Sequence, residues 1–230
     1  MVADGAFDDA VQDVSGIVHL ASAVTSSDKF DEAVPPTVKG ALNVLTCASR
    51  ESGVQSVVYT SSSTAALTTV PNNKIVITAD SWNEAAVDAA QNSPNVDPYS
   101  VYAASKTKGE RAIWKAVGQT KPPFQVAALL PDANFGLVLQ PGGEMSASTG
   151  AWPAQLFTAD VGKLNPMDLP PQWFVEDDAR LHFAALIDPS CSGMRISPSP
   201  SLTRATKFWQ SSARPIPIES SWMTVIWGWT

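Results

Sequence analysis

Tyr102 and Lys106 stand four residues apart in Tyr102-Ala103-Ala104-Ser105-Lys106, within a run whose apolar spacing predicts a helix over about residues 100–117. On a helix, residues i and i+4 share one face about a turn apart. A phenol is a weak acid with a free pKa of about 10, and a neighbouring positive charge stabilises its anion and eases proton transfer. The pair therefore suits acid/base work on a carbonyl or an alcohol. The spacing alone is a weak signal, since an exposed pair at helical distance is usually a solvated face. Its weight depends on what the neighbouring elements place beside it.

Those elements alternate. Residues 5–15 hold Phe7, Val11 and Val14 at helical spacing among acidic residues, which predicts a short amphipathic helix, and residues 16–21 are an apolar run suited to a strand buried on both faces. Residues 31–49 carry a helical stripe of Val34, Val38, Ala41, Leu42, Leu45 and Ala48, with Pro35 and Pro36 tolerable only in the first turn. A second buried strand spans 56–60 and runs into the hydroxyl cluster Thr60-Ser61-Ser62-Ser63. Residues 65–98 are looser, with a turn at Pro71-Asn72-Asn73, and a third strand over 124–130 stops at Pro131. A short strand at 173–175 then leads into a helix that begins at the acidic turn Glu176-Asp177-Asp178. Strand and helix in alternation predict an α/β fold with a doubly wound parallel sheet.

Composition narrows the function. A formal charge of −7 without any basic block argues against nucleic acid or an anionic membrane as partner. Cys47 and Cys191 are far apart and without metal spacing, so each is expected to be a reduced thiol, and no metal site is expected. No apolar run is long enough to span a bilayer and residues 1–7 have no leader character, which makes a soluble cytoplasmic protein the simplest expectation. His19, inside a strand, and His182, inside a helix, are expected to be structural.

In an open parallel sheet, ligands bind at the carboxyl ends of the strands. Three such ends are Ala21-Ser22, Thr60-Ser61-Ser62 and Pro131, and the adjacency of the hydroxyl cluster to the Tyr102 helix brings Ser62, Tyr102 and Lys106 over one crevice. Taken in order, the stretch from Gly5 to Ser22, Val57-Val-Tyr-Thr-Ser-Ser-Ser63, Tyr102-Ala-Ala-Ser-Lys106 followed by Glu110, Leu130-Pro-Asp-Ala-Asn-Phe-Gly136 and Phe174-Val-Glu-Asp-Asp-Ala179 resemble the extended short-chain dehydrogenase/reductases, in the branch of dihydroflavonol 4-reductase and the aldehyde/ketone reductases. The resemblance covers roughly residues 5–193. It implies a Rossmann-like sheet and an NADP cofactor, with NAD as the alternative, used to reduce a small-molecule carbonyl. Tyr102 would protonate the carbonyl oxygen. Lys106 would lower the Tyr102 pKa and hold the nicotinamide ribose. Ser62 would hold the substrate oxygen, with Ser61 and Ser63 as alternatives. Leu20, Ala21 and Ser22 would line the adenosine side, Thr37, Thr60 and Ser61 would lie near the cofactor, and Pro131 would border the nicotinamide.

The glycine-rich turn that opens this family has no counterpart before Gly16, where Gly5 is the sole glycine. The expectation is therefore a sheet incomplete at its N-terminus: a partial dinucleotide-binding domain over 1–136, a small irregular substrate-side region over 137–193, and an irregular Ser/Pro/Trp-rich tail over 194–230. Such a chain would bind dinucleotide weakly. Alternative readings are a nucleotide-sugar epimerase or dehydratase, which shares the Ser, Tyr and Lys, and an inactive fragment acting at most as a binding protein. Ser26-Ser27-Asp28-Lys29 matches the Ser-x-x-Lys of some serine hydrolases but lacks every companion motif. Substrate identity and oligomeric state are not encoded in any motif here.

Overall fold

Three apolar runs become neighbouring parallel strands in the computed structural model, which describes residues 1–22, 27–68, 76–139, 148–152, 157, 172–197 and 224–225. They are β1 (Gly16–His19), β2 (Ser56–Thr60) and β3 (Gln125–Leu129). Ile17 lies beside Val57 and Val57 beside Val126. Alternate residues face opposite ways, so Ile17, Val57, Val126 and Ala128 join one apolar cluster while Val18, Val58, Ala127 and Leu129 join another. Both faces are covered, which is why these strands read as continuous apolar runs.

The first face is covered by α1 (Phe30–Ala48), whose Ala41, Val44, Leu45 and Ala48 enter the cluster, and by α3 (Pro98–Thr120) through Ile113. Packed on α3 is α2 (Glu84–Asn92), started by Asn83, whose side chain accepts a hydrogen bond from the Ala86 N–H at 3.1 Å. The second face is covered by α4 (Val175–Ile187) through Ala185 and Leu186. A small parallel pair, β4 (Ala133–Phe135) with β5 (Gln172–Phe174), leads directly into α4. β6 (Arg195–Ile196) joins β3, and β7 (Thr224–Val225) joins β1, giving the order β6-β3-β2-β1-β7. The doubly wound parallel α/β sheet expected from the alternation is therefore present. No helix among the described residues is long and apolar enough to cross a membrane.

Several local expectations differ from the structure. Residues 5–15 form linked turns instead of a helix: Gly5 and Asp13 have φ of 73° and 57°, and between them only the Val11 N–H reaches back four residues, to Phe7. Phe7, Val11 and Val14 are nonetheless buried, so the apolar spacing was read correctly and its backbone was not. α1 starts at Phe30, which places Pro35 and Pro36 beyond the first turn, where they leave the carbonyls of Asp31 and Glu32 without their helical donors. α2 and β4 arise in stretches read as loop, because each is too short to establish a periodic pattern. Within the tail read as irregular, Arg195–Ile196 and Thr224–Val225 are strands; the four tail tryptophans, the loop at 71–73 and Ser26 lie outside the described residues.

Gly109 sets the approach of α3 to the sheet. A Cβ there would stand 2.6 Å from the Tyr59 hydroxyl and 3.1 Å from the Thr37 methyl. Helix propensity favours Ala over Gly by about 1 kcal/mol, yet overpacking against buried Tyr59 costs about 1–3 kcal/mol. Gly109→Ala is therefore expected to lower the urea midpoint, and a raised midpoint would show that α3 can shift freely.

Candidate active site

The loop after β2 is laced to the end of β3 by two backbone bonds, from Ser61 N–H to the Leu129 carbonyl at 2.7 Å and from Ser63 N–H to the Pro131 carbonyl at 2.9 Å. They hold Ser62 in extended geometry at the start of a short 3-10 turn, Ser63–Ala65, where its hydroxyl accepts from the Thr64 N–H at 3.3 Å. Across from this loop, α3 is nucleated by Asp97, which accepts from the Ser100 N–H and hydroxyl at 3.0 and 2.6 Å, with Pro98 at the first helical position. Val101, Ala103 and Ala104 bury this first part of the helix. Tyr102 and Lys106 then face the strand ends. The Lys106 ammonium donates to the Thr60 carbonyl at 3.2 Å and lies 5.9 Å from the centre of the Tyr102 ring, while the Ser62 side chain is near enough to the Tyr102 phenol to draw its pKa down. Ser62, Tyr102 and Lys106 are brought together at the carboxyl end of β2.

Burial dominates the electrostatics here. It holds the Tyr102 phenol above its ordinary value, and the opposing pull comes from Ser62. Lys106 is itself desolvated, and its ammonium donates to the Thr60 carbonyl. Burial pushes Lys106 down to about 8, partly offset by Glu110 one turn further along the helix. His19 is held neutral, down to about 4, first by burial and then by the charge of Lys106; its ring stacks on Tyr59 at 5.9 Å.

Lys106 has a consequence for stability. An unfolded chain keeps the lysine protonated up to its ordinary 10.5, whereas the folded chain releases the proton near 8. Between these values the unfolded state binds more protons, so the lysine's contribution to stability is lost as pH falls through 8 and fully present above 10.5. Relative to Lys106→Met, the wild type is expected to gain on the order of 3 kcal/mol across that window. Urea unfolding of both proteins at a series of pH values measures it, and a flat difference would contradict a buried, depressed lysine.

The other expected residues divide. Ser61 is buried and donates to Glu110 Oε2 at 2.7 Å, so its hydroxyl is committed away from Tyr102, which distinguishes it from Ser62. Thr60 bonds through its hydroxyl to His182 Nε2 at 2.9 Å. Pro131 is buried at the end of β3. Leu20, Ala21 and Ser22 follow β1; Leu20 is exposed, and the Ser22 hydroxyl is shielded without a hydrogen-bond partner among the described residues. Thr37 is not with them: it donates to the Ala33 carbonyl at 2.8 Å inside α1, with its methyl beside Gly109. Its methyl therefore faces α3.

Glu110 and Arg195 were not singled out from the sequence as interacting. Glu110 is fully buried, accepting from Ser61, from Trp114 Nε1 at 3.0 Å and from Arg195 Nε at 2.6 Å. Tyr102, Lys106 and Glu110 continue one i, i+4, i+8 face, a signal that could have marked the glutamate as inward-facing. No local signal marks Arg195. No group of three or more His, Cys, Asp or Glu side chains suited to a metal is found among the described residues.

The family model described as male sterility protein, an NAD-binding family, matches residues 2–127. Aldehyde reductase 2 of Sporidiobolus salmonicolor is 37% identical over 202 residues, covering 85% of this chain and 58% of that protein. The chain belongs to the extended short-chain dehydrogenase/reductases. This short-chain dehydrogenase/reductase is also similar to the ketoreductase adrE of Penicillium roqueforti, 36% identical over 197 residues, covering 83% and 56% of the two chains. Among solved structures it resembles Gre2 of Candida albicans in complex with NADPH, with 26% identity and a TM-score of 0.69 over 85% of this chain and 60% of that one. The chain spans little more than half the length of the curated relatives it matches.

Proposed function

We propose that this chain reduces an aldehyde or ketone to an alcohol with NADPH as the reductant, through Ser62, Tyr102 and Lys106. The observation that carries the reading is the convergence of the three side chains at the end of β2, with Tyr102 held in its protonated form. Reduction of a carbonyl needs an acid, and a phenol kept above its ordinary pKa is an acid that retains its proton through the neutral range. Names of relatives point the same way, aldehyde reductase and ketoreductase among them.

When bound, NADPH supplies a hydride to the carbonyl carbon. The chain's own part is to orient the carbonyl and to deliver the proton. Ser62 donates a hydrogen bond from its hydroxyl to the substrate oxygen where negative charge develops, keeping its own proton. Tyr102 transfers its hydroxyl proton to that same oxygen, completing the alcohol and leaving a phenolate. Lys106, seated on the Thr60 carbonyl, supplies positive charge on the face where the phenolate forms.

The cofactor fits the residues at the strand ends. The Ser22 hydroxyl after β1, shielded and without a hydrogen-bond partner among the described residues, is a polar atom that a bound cofactor could partner. Leu20, Ala21 and Ser22 would hold the adenosine side, Thr60, Ser61, Tyr102 and Lys106 the nicotinamide side, and Pro131 would border the ring. Thr37 supports the site through the α1–α3 contact. Of the alternatives weighed from the sequence, the epimerase or dehydratase reading would leave NADPH unconsumed.

The test is loss of NADPH absorbance when the purified chain is given an aromatic aldehyde, with the alcohol identified as product. Turnover that Ser62→Ala lowers by about 10²-fold supports the reading. No turnover by the wild type, or equal turnover by the two proteins, rejects it.

A further inference from the structure

We propose that His182, held by Asp178, is a positioning residue for Lys106: it fixes the end of β2 whose carbonyl seats the ammonium. The proposal rests on the reading of Lys106 as an active-site residue. His182 is buried, and its Nδ1 lies 2.8 Å from the Asp178 carbonyl, one turn back on α4. A carbonyl only accepts, so in the neutral imidazole Nδ1 carries the proton and Nε2 presents its lone pair. The Thr60 hydroxyl, 2.9 Å away, therefore donates to Nε2. Thr60 is held at both polar ends, by His182 at the hydroxyl and by Lys106 at the carbonyl. It is the last residue of β2, so these side chains fix its orientation where the ladder stops.

The imidazole is in turn anchored from the second sheet. Asp178 is buried, its Oδ1 lies 3.5 Å from His182 Nδ1, and its Oδ2 accepts from Asn134 Nδ2 at 3.0 Å. Asn134, on β4, exchanges backbone hydrogen bonds with the Thr149 hydroxyl at 3.1 and 3.2 Å. A continuous polar chain thus runs from Lys106 through Thr60, His182, Asp178 and Asn134 to Thr149. The chain is buried at His182 and Asp178, where Asp178 Oδ1 has no hydrogen-bond partner among the described residues, and such linked polar groups respond together when one link is removed. The other charged or titratable groups facing Lys106 are Tyr102 and Glu110 on its own helix and His19 from β1, none of which the test alters.

The test follows the Lys106 Cε resonance by NMR against pH in the full chain, beside steady-state carbonyl reduction. Thr60→Val, which keeps the side-chain shape, and His182→Phe are each expected to move the Lys106 titration by at least about half a unit. Each is also expected to lower kcat by about tenfold with KM for the carbonyl substrate within about twofold. The double variant should lose no more than either single one, and His182→Gln, whose amide oxygen can accept the Thr60 proton, should recover most of the loss. Folded Thr60→Val with wild-type titration and kcat overturns the proposal, as does a double variant whose losses multiply. The titration requires no turnover. A wild type that reduces no carbonyl therefore rejects the proposed function alone, and an active wild type with an unmoved titration in both variants rejects the positioning role alone.

Discussion

Tyr102→Phe is expected to lower kcat/KM for carbonyl reduction by about 10²–10⁴-fold while leaving the fold intact. The substitution removes a single oxygen from a ring that packs at the start of α3, so the loss falls on the proton and not on the shape of the site. In the wild type, burial raises the phenol's pKa and the Ser62 hydroxyl partly counters it. Removing the phenol leaves Ser62 able to orient a carbonyl, without an acid of its own to complete the alcohol. The loss should therefore appear in kcat, with substrate KM little changed. Steady-state kinetics with far-UV circular dichroism on both proteins decide it. A variant that keeps more than about a tenth of the activity assigns the proton to another group.

Arg195→Met is expected to cost about 3–5 kcal/mol of folding free energy, a large fraction of the stability of a domain this size. Arg195 is what makes a fully buried Glu110 tolerable: its Nε donates at 2.6 Å and its Nη2 at 3.3 Å to the two carboxylate oxygens. The same guanidinium caps the carbonyls of Ala79 and Ser81, each at 2.7 Å, and lies 3.7 Å from the centre of the Trp82 ring. Without it, Glu110 keeps only Ser61 and Trp114 as donors, and a buried carboxylate lacking its counter-charge is worse than no ion pair at all. Glu110→Gln added to Arg195→Met should therefore regain part of the loss, since the amide carries no charge. Urea unfolding of the three proteins measures this. A loss under about 1 kcal/mol for Arg195→Met would place the pair among surface-like bridges. Because Glu110 also holds Ser61, next to Ser62, the destabilised variant should lose activity before it unfolds.

The elements that framed the site were legible because their patterns are local. The runs at 16–21, 56–60 and 124–130 read as buried strands, and in the structure each strand face meets a different layer of helices. The apolar stripe of α1 and the Tyr102 helix were legible for the same reason. Residues 5–15 show the limit of such reading: Phe7, Val11 and Val14 are buried as their spacing implied, yet positive φ at Gly5 and Asp13 makes the backbone a series of turns. His182 was read as structural from its place in a helix, and that reading left out its bond to Thr60, 122 residues earlier.

By itself the sequence placed Tyr102 and Lys106 on one helical face through spacing alone and ended a strand in the hydroxyl cluster, the arrangement the proposed chemistry needs. It also determined the parallel α/β class, since strand and helix periods alternate along the chain. Only the tertiary structure separates Ser61 from Ser62, because the Ser61 hydroxyl is committed to Glu110 while Ser62 lies beside the Tyr102 phenol. It alone decided that Tyr102 is raised and Lys106 lowered, for desolvation depends on what packs around a side chain. The partners Arg195–Glu110 and His182–Thr60 were equally its work. A periodic pattern tells which face of an element turns inward, and sheet order and packing tell which distant residue waits there.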